Sequence, residues 1–287
     1  MSSKRVPAVP KKTMLKTRIL TVLIALPLFL SALFYLQDIF WATLLLVITV
    51  IGAREWCHLA RFSVRNTVIF MVLTTLLGGE LLFLLSEAVQ STPYAYTAVW
   101  IYALSTLFWI GCVPLMLKNS TVMHHTLVMM GIGWLVLLPT ALALYQLRAI
   151  SPVLLLGFMG TIWVSDTAAY FTGRAFGQHK LAYHISPGKT WEGVAGAMFA
   201  VLLYGLVWVY VFADGAHLQS LVPLLLVLAI LGIIGDLFES LVKRQAGLKD
   251  SGRILPGHGG ILDRIDALTS TLPLAILALL VFNSSLL

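Results

Sequence analysis

Five acidic side chains in the C-terminal half of this sequence carry the spacing of a chemical site. In "GDLFESLVKR", Asp236, Glu239, Ser240 and Lys243 stand at i, i+3, i+4 and i+7, which places them on one stripe of a helix. Asp236 lies roughly 10 Å of helical rise from Lys243, a depth at which an ionisable group in a membrane faces a cavity or a partner. In "LDRID", Asp263 and Asp266 are three residues apart at the start of an apolar run, so they share a face. A helix N-terminus stabilises anions, but capping needs only one carboxylate. Asp166 opens another stripe with Tyr170 and Arg174. Facing carboxylates suit Mg²⁺, which binds through one or two of them plus substrate phosphates. Asp236, Asp263 and Asp266 are the main candidate ligands, with Asp166 and Glu239 beside them. Lys243, Arg244, Lys249, Arg253 and Arg264 lie next to these acids. Acids alone would suggest a cation path, and bases alone an anionic lipid surface. Together they suit phosphoryl transfer, where a metal bridges phosphate oxygens and Lys and Arg neutralise developing charge.

Two glycine-rich stretches flank these stripes. "ISPGKTWEG" reads as a Ser-Pro-Gly turn that delivers Lys189 and Thr190 to the start of a span. Such a turn offers Ser186, Gly188 and the helix N-terminal N–H groups to a phosphate. It lacks the spacing of a Walker A loop. In "LPGHGGILDRID", Gly257, Gly259 and Gly260 permit close backbone approach, and His258 between them is a phosphate contact or a proton carrier.

The elements that position these residues are membrane spans. Hydrophobic residues make up 59% of the 287 residues and charged residues 11%, against about 25% charged in a soluble domain. The segment 240–266 holds eight of the 31 charges in 27 residues, so charge is concentrated where the chemistry is expected. Apolar runs predict nine spans at 19–36, 39–53, 67–85, 97–117, 126–147, 152–172, 193–213, 221–242 and 267–282, with 39–53 short for a roughly 20-residue crossing. With the N-terminus inside, this arrangement puts 18 of the 19 basic residues on the cytoplasmic side and only Arg148 outside. That segregation is the positive-inside pattern and predicts an N-in, C-out topology. The expected fold is therefore all-α: one polytopic membrane helical bundle over 1–287, with 1–150 supplying N-terminal spans and 151–287 the site. The first apolar run is too long for a cleaved signal and reads as an uncleaved span. The charge of +7 reads as orientation and lipid-surface signal, with no nucleic-acid partner. Cys57 and Cys112 read as reduced packing residues, Glu80 as a structural or interface carboxyl, and His124 and His125 as loop residues.

The stretch from Ser240 to Asp266 resembles the signature of the CTP:phosphatidate cytidylyltransferases, also called CDP-diacylglycerol synthases. The shared positions are Ser240, Lys243, Arg244, Lys249, Asp250, Pro256, Gly257, His258, Gly259, Gly260, Asp263, Arg264 and Asp266. "SDTAAYFTGRAFGQHK" and "ISPGKTWEG" are similar to the family as well. The resemblance implies a bacterial inner-membrane enzyme, homodimeric and Mg²⁺-dependent, with a polar cavity open to the cytosol. It implies CTP and phosphatidate as substrates and CDP-diacylglycerol and pyrophosphate as products. Carried over, Asp236, Asp263 and Asp266 hold cations, while the basic residues and glycine loops hold the triphosphate and the lipid phosphate.

Two kinds of rival fit the same residues. One is a CTP-dependent transferase acting on another lipid, as in CDP-archaeol synthesis or polyprenol phosphorylation. The other is an ion-coupled transporter, since intramembrane acids line ion paths. Transporter sites sit near the midplane between repeats, whereas here no repeat is visible and the charges gather at one interface.

Overall fold

The computed structural model describes residues 11–123, 125–212, 218–252, 254 and 259–282. Helices α1 (Lys11–Tyr35), α2 (Asp38–Leu59) and α3 (Val64–Ser91) open the chain. Next come α4 (Val99–Leu107), a π-helical turn at Phe108–Cys112 and α5 (Val113–Asn119), which together make one rod. Helices α6 (Thr126–Ile150) and α7 (Pro152–Phe176) precede two short strands, β1 (Lys180–Ala182) and β2 (Ser186–Thr190). Helices α8 (Trp191–Phe212), α9 (Leu218–Gln245) and α10 (Leu262–Phe282) complete the chain. Among the described residues, eight helical rods are long and apolar enough to cross a membrane, and α1 adds a shorter apolar stretch at Leu23–Tyr35. The chain is a polytopic helical membrane protein.

Two local differences from expectation bear on the site. The short span at 39–53 continues as helix to Leu59. The apolar count missed its last turn because Arg54, Glu55 and His58 interrupt the hydropathy there. The second difference is the β-hairpin in an otherwise all-α fold. Ser186–Thr190 is a strand paired antiparallel with β1, with Lys180 opposite Thr190 and Ala182 opposite Ser186. Pro187 and Gly188 therefore lie within the strand, and the turn falls at 183–185. A two-stranded ribbon can carry a Pro because both its edges are free.

Helices α6 and α10 are the most enclosed, whereas α3 and α8 are largely peripheral. The outward residues of α3 and α8 are apolar, among them Val68, Val72, Leu76, Phe199 and Leu203. That is the expected surface for a helix bathed in lipid, where backbone groups are satisfied internally. Lipid tails are as apolar as leucine, so helices associate through close packing over small residues. The α7–α8 seam shows how. Gly157 leaves room for the Trp208 ring and Gly160 for Tyr204, whose hydroxyl donates to the Gly157 carbonyl at 2.9 Å. Further along, Gly173 of α7 faces Gly193 of α8.

The two ends of the bundle are fastened differently. At one end Arg148 of α6 donates to Asp38 of α2 at 2.8 Å and to the carbonyls of Leu33 and Leu36, closing the α1–α2 turn. It also sits over the Trp41 ring, 5.2 Å from the centroid. The one basic residue that breaks the positive-inside pattern is thus held in a structural network. At the other end lie the polar clusters of the C-terminal half. Replacing Gly157 with Leu should force Trp208 out of its seat and destabilise the fold by about 1–3 kcal/mol. A lowered melting temperature in detergent checks this; an unchanged one contradicts the packing account.

Candidate active site

A cavity of about 610 Å³ opens at the end of the bundle away from Arg148. Helix α7 contributes Asp166, Tyr170 and Arg174 to its lining, and α9 contributes Asp236 and Lys243. Helix α10 contributes Asp263, Arg264 and Asp266, and the hairpin contributes Ser186, Gly188, Lys189 and Thr190. The stripe Asp166–Tyr170–Arg174 is thus real, with Arg174 donating to the Tyr170 hydroxyl at 3.0 Å.

Each of two cavity acids is held by a lysine. Lys243 Nζ lies 2.8 Å from Asp263 Oδ1, joining α9 to α10, and both side chains are nearly buried. Lys189 Nζ lies 2.7 Å from Asp236 Oδ2, joining the hairpin to α9. Removing one partner from such a pair leaves an uncompensated charge and costs about 3–5 kcal/mol when the pair is buried. Ser240, buried on the same stripe, donates from Oγ to Asp236 Oδ1 at 3.3 Å.

The hairpin is pinned at the cavity by hydrogen bonds at both of its ends. His179 Nδ1 meets Glu192 Oε1 at 2.6 Å, and the Trp191 amide donates to the His179 carbonyl at 3.0 Å. Arg244 donates to the Ile185 carbonyl in the hairpin turn at 3.3 Å and to the Leu248 carbonyl at 3.2 Å. Arg244 is therefore a fastening between α9 and the hairpin and is not among the cavity-lining residues. Lys249 is exposed and also stands outside that lining, while its neighbour Asp250 belongs to it. Gly257 and His258 lie outside the described residues.

Glu239 departs from the expected stripe. It is buried at 5% exposure and lines a small separate space with Trp56, Trp109, Phe238, Leu262 and Asp266. Three residues at 100° each leave Glu239 some 60° off Asp236, enough to turn it from the cavity into the packed interior. Its Oε1 lies 3.4 Å from Lys243 Nζ, so it supports that lysine from behind.

Sequence reasoning missed Glu55. This residue of α2 is 4% exposed and reaches across the bundle to the start of α10. Its carboxylate accepts hydrogen bonds from the Ser251 hydroxyl at 3.0 Å, the Ile261 amide at 3.0 Å and the Leu262 amide at 2.9 Å. The loop so held is the one that grips Asp263. The Ser251 amide donates to both Asp263 oxygens, at 3.2 and 3.0 Å, and the Gly260 amide donates to Oδ2 at 2.8 Å. A Cβ on Gly260 would run into the Ser251 hydroxyl and the Glu55 carboxylate. Gly259 has φ +85°, the left-handed region, and a Cβ there would meet the Asp263 carboxylate. The glycines are therefore explained by side chains that converge on them.

Among the described residues, no three His, Cys, Asp or Glu side chains gather closely enough to hold a metal by themselves. The cavity instead presents separate carboxylates alongside lysines. That donor set fits Mg²⁺ entering with a nucleotide, since such an ion needs only one or two carboxylates and completes its shell with phosphate and water.

The chain matches the cytidylyltransferase family over residues 16–282. It belongs to that family. Similar proteins include the phosphatidate cytidylyltransferase of Pseudomonas aeruginosa, 37% identical over 91% of this chain and 95% of that protein. The Haemophilus influenzae protein of the same name is 31% identical over 91% of this chain and 96% of its own length. A Staphylococcus aureus phosphatidate cytidylyltransferase is 48% identical over 113 residues, 39% of this chain and 44% of its own. Enzyme membership of this kind removes the transporter reading.

Replacing Glu55 with Gln puts an NH₂ group where donors converge and leaves at least one of them unpaired. Losing a buried hydrogen bond to a charged group costs about 1.5–3 kcal/mol. If it is felt at Asp263, turnover falls about 10- to 100-fold while the protein stays inserted and monodisperse. Steady-state kinetics on folded protein check this, and near-native turnover in Glu55→Gln would contradict the role of the clamp.

Proposed function

We propose that this protein transfers the cytidylyl group of CTP to phosphatidate, forming CDP-diacylglycerol and releasing pyrophosphate. One observation carries the reading: Asp166, Asp236, Asp263 and Asp266 share a single cavity with Lys189 and Lys243. A cavity of this kind accepts polyphosphate and faces the membrane interface, where an anionic lipid head is at hand. The names of the similar proteins support the same reaction.

The attacking group is a phosphatidate oxygen, already anionic near neutral pH, so no protein nucleophile is needed. It forms a bond to the α-phosphorus of CTP as the α–β bridging bond breaks, and the electron pair leaves with pyrophosphate. Mg²⁺ would be held by one or two of Asp236, Asp263 and Asp266, with Asp166 at hand and phosphate completing its shell, and would supply neutralisation of phosphate charge. Lys189 and Lys243 change partners when substrate enters: each leaves its aspartate and meets phosphate oxygens instead. Lys243 keeps Glu239 behind it throughout, which limits how far it moves. Preorganised cations of this type stabilise charge that develops in the transition state without reorganising at the moment of reaction. Ser186, Gly188 and Thr190 on the hairpin give the phosphates close backbone approach, while Gly259 and Gly260 shape the loop around Asp263; Arg264 and Arg174 stand at the lining for the lipid phosphate or the nucleotide.

The expected setting is a bacterial inner membrane with the cavity on the cytoplasmic side. Eighteen of the 19 basic residues favour that orientation. A homodimer is the expected assembly from the family resemblance.

The deciding experiment incubates purified protein with labelled CTP, phosphatidate and Mg²⁺ and extracts the lipid phase. Labelled CDP-diacylglycerol is expected, and it should vanish when phosphatidate is omitted. Cytidylyl label passing instead to an archaeal-type ether lipid, or label from γ-labelled CTP passing to added dolichol, would overturn the choice of acceptor. Asp263→Asn should lose at least about 100-fold in turnover while remaining folded and inserted. Near-native turnover in that variant would remove Asp263 from the site.

A further inference from the structure

A second cavity, of about 430 Å³, lies behind the first and is almost wholly apolar. Leu44, Leu45 and Ile48 of α2 form one wall and Ala141 and Leu144 of α6 another. The end shared with the polar cavity, its mouth toward that cavity, carries Ile261, Arg264 and Ile265, and the other end carries Phe29 and Trp41, the latter under Arg148. Arg264 thus lines both cavities. From Thr49 to Trp41 the wall follows α2 for about 12 Å of rise, so the space is elongated along the helix axes. One end sits at the polar cavity, beside the loop held by Glu55, and the other points toward the Arg148 end of the bundle.

We propose that this cavity seats one acyl chain of phosphatidate, with Arg264 at its mouth against the lipid phosphate. The inference rests on the function proposed above and adds where the lipid lies. Three features of the cavity favour a chain over a compact solute. The space is long and runs along the helices, its walls carry almost no polar groups, and among the described residues its one charged lining residue stands where a phosphate would meet the aspartates. Its volume lies within the roughly 300–1,000 Å³ of ordinary ligand pockets. Transfer of a chain from bilayer to such a wall gains little hydrophobic free energy, since lipid is equally apolar. The seat therefore acts on position: a chain lodged along α2 and α10 fixes the depth and direction of its phosphate relative to the cytidylyl group. Misplacement of a reacting group lowers turnover steeply, which is how a remote apolar wall reaches the chemistry.

The test uses full-length protein and two substrates, dioctanoyl and dioleoyl phosphatidate, in the same mixed micelles. Leu44→Trp and Ile48→Trp each fill the cavity from a partly exposed position on α2. In both variants the ratio of kcat/KM for dioleoyl to dioctanoyl substrate should fall about tenfold or more relative to the unaltered protein, a size reached by pocket fit alone. Trp163 of α7 also lines this cavity, and Trp163→Ala, which enlarges it, should move the ratio the other way and serves if the filled variants fail to fold. An unchanged ratio across these variants overturns the proposal and makes the cavity a seat for bulk lipid. If the unaltered protein converts neither phosphatidate, the proposed reaction fails, a result distinct from a flat chain-length ratio.

Discussion

Carboxylates placed within membrane spans need partners, and that constraint organises this protein. An isolated charge at such depth costs several kcal/mol, so each acid must meet a cation, a donor or water. Asp263 meets Lys243 and two backbone amides, and Asp236 meets Lys189 and the Ser240 hydroxyl. These contacts join α9 to α10 and the hairpin to α9. The same ion pairs that make the acids tolerable therefore assemble the cavity. They also leave it loaded with exchangeable charge, ready for a ligand that brings phosphate and a divalent ion together.

The N-terminal half is part of this arrangement. Helix α2 supplies Glu55, which fixes the loop around Asp263, and it forms one wall of the apolar cavity. Helix α6 stands in the middle of the bundle, locking α2 at the far end through Arg148 and Asp38. The glycine seam brings α7 and α8, the helices on either side of the hairpin, into close contact, and Lys189 and Arg244 tie the hairpin to α9.

Much of this was legible in the chain. Hydropathy gave the spans because a bilayer admits few alternatives to helices of about 20 apolar residues. Helical spacing placed Asp166 with Tyr170 and Arg174, and Asp263 with Asp266, because one periodicity governs each stripe. It failed for Glu239, where a 60° offset decides between cavity and interior. The strand at Ser186–Thr190 was hidden because Ser-Pro-Gly favours turns locally, and its pairing with β1 is set by His179, Glu192 and Arg244 from other elements. Glu55 was hidden for a related reason: its three donors lie about 200 residues further on, and no local pattern distinguishes it from an interfacial acid in "AREWCH".

An experimental structure with CTP and Mg²⁺ bound tests the central claim most directly. The triphosphate is expected in the cavity between α7, α9 and α10, with Lys189 and Lys243 on its oxygens and the ion against one or two of Asp236, Asp263 and Asp266. A nucleotide bound elsewhere, with both lysines still on their aspartates, would contradict that claim.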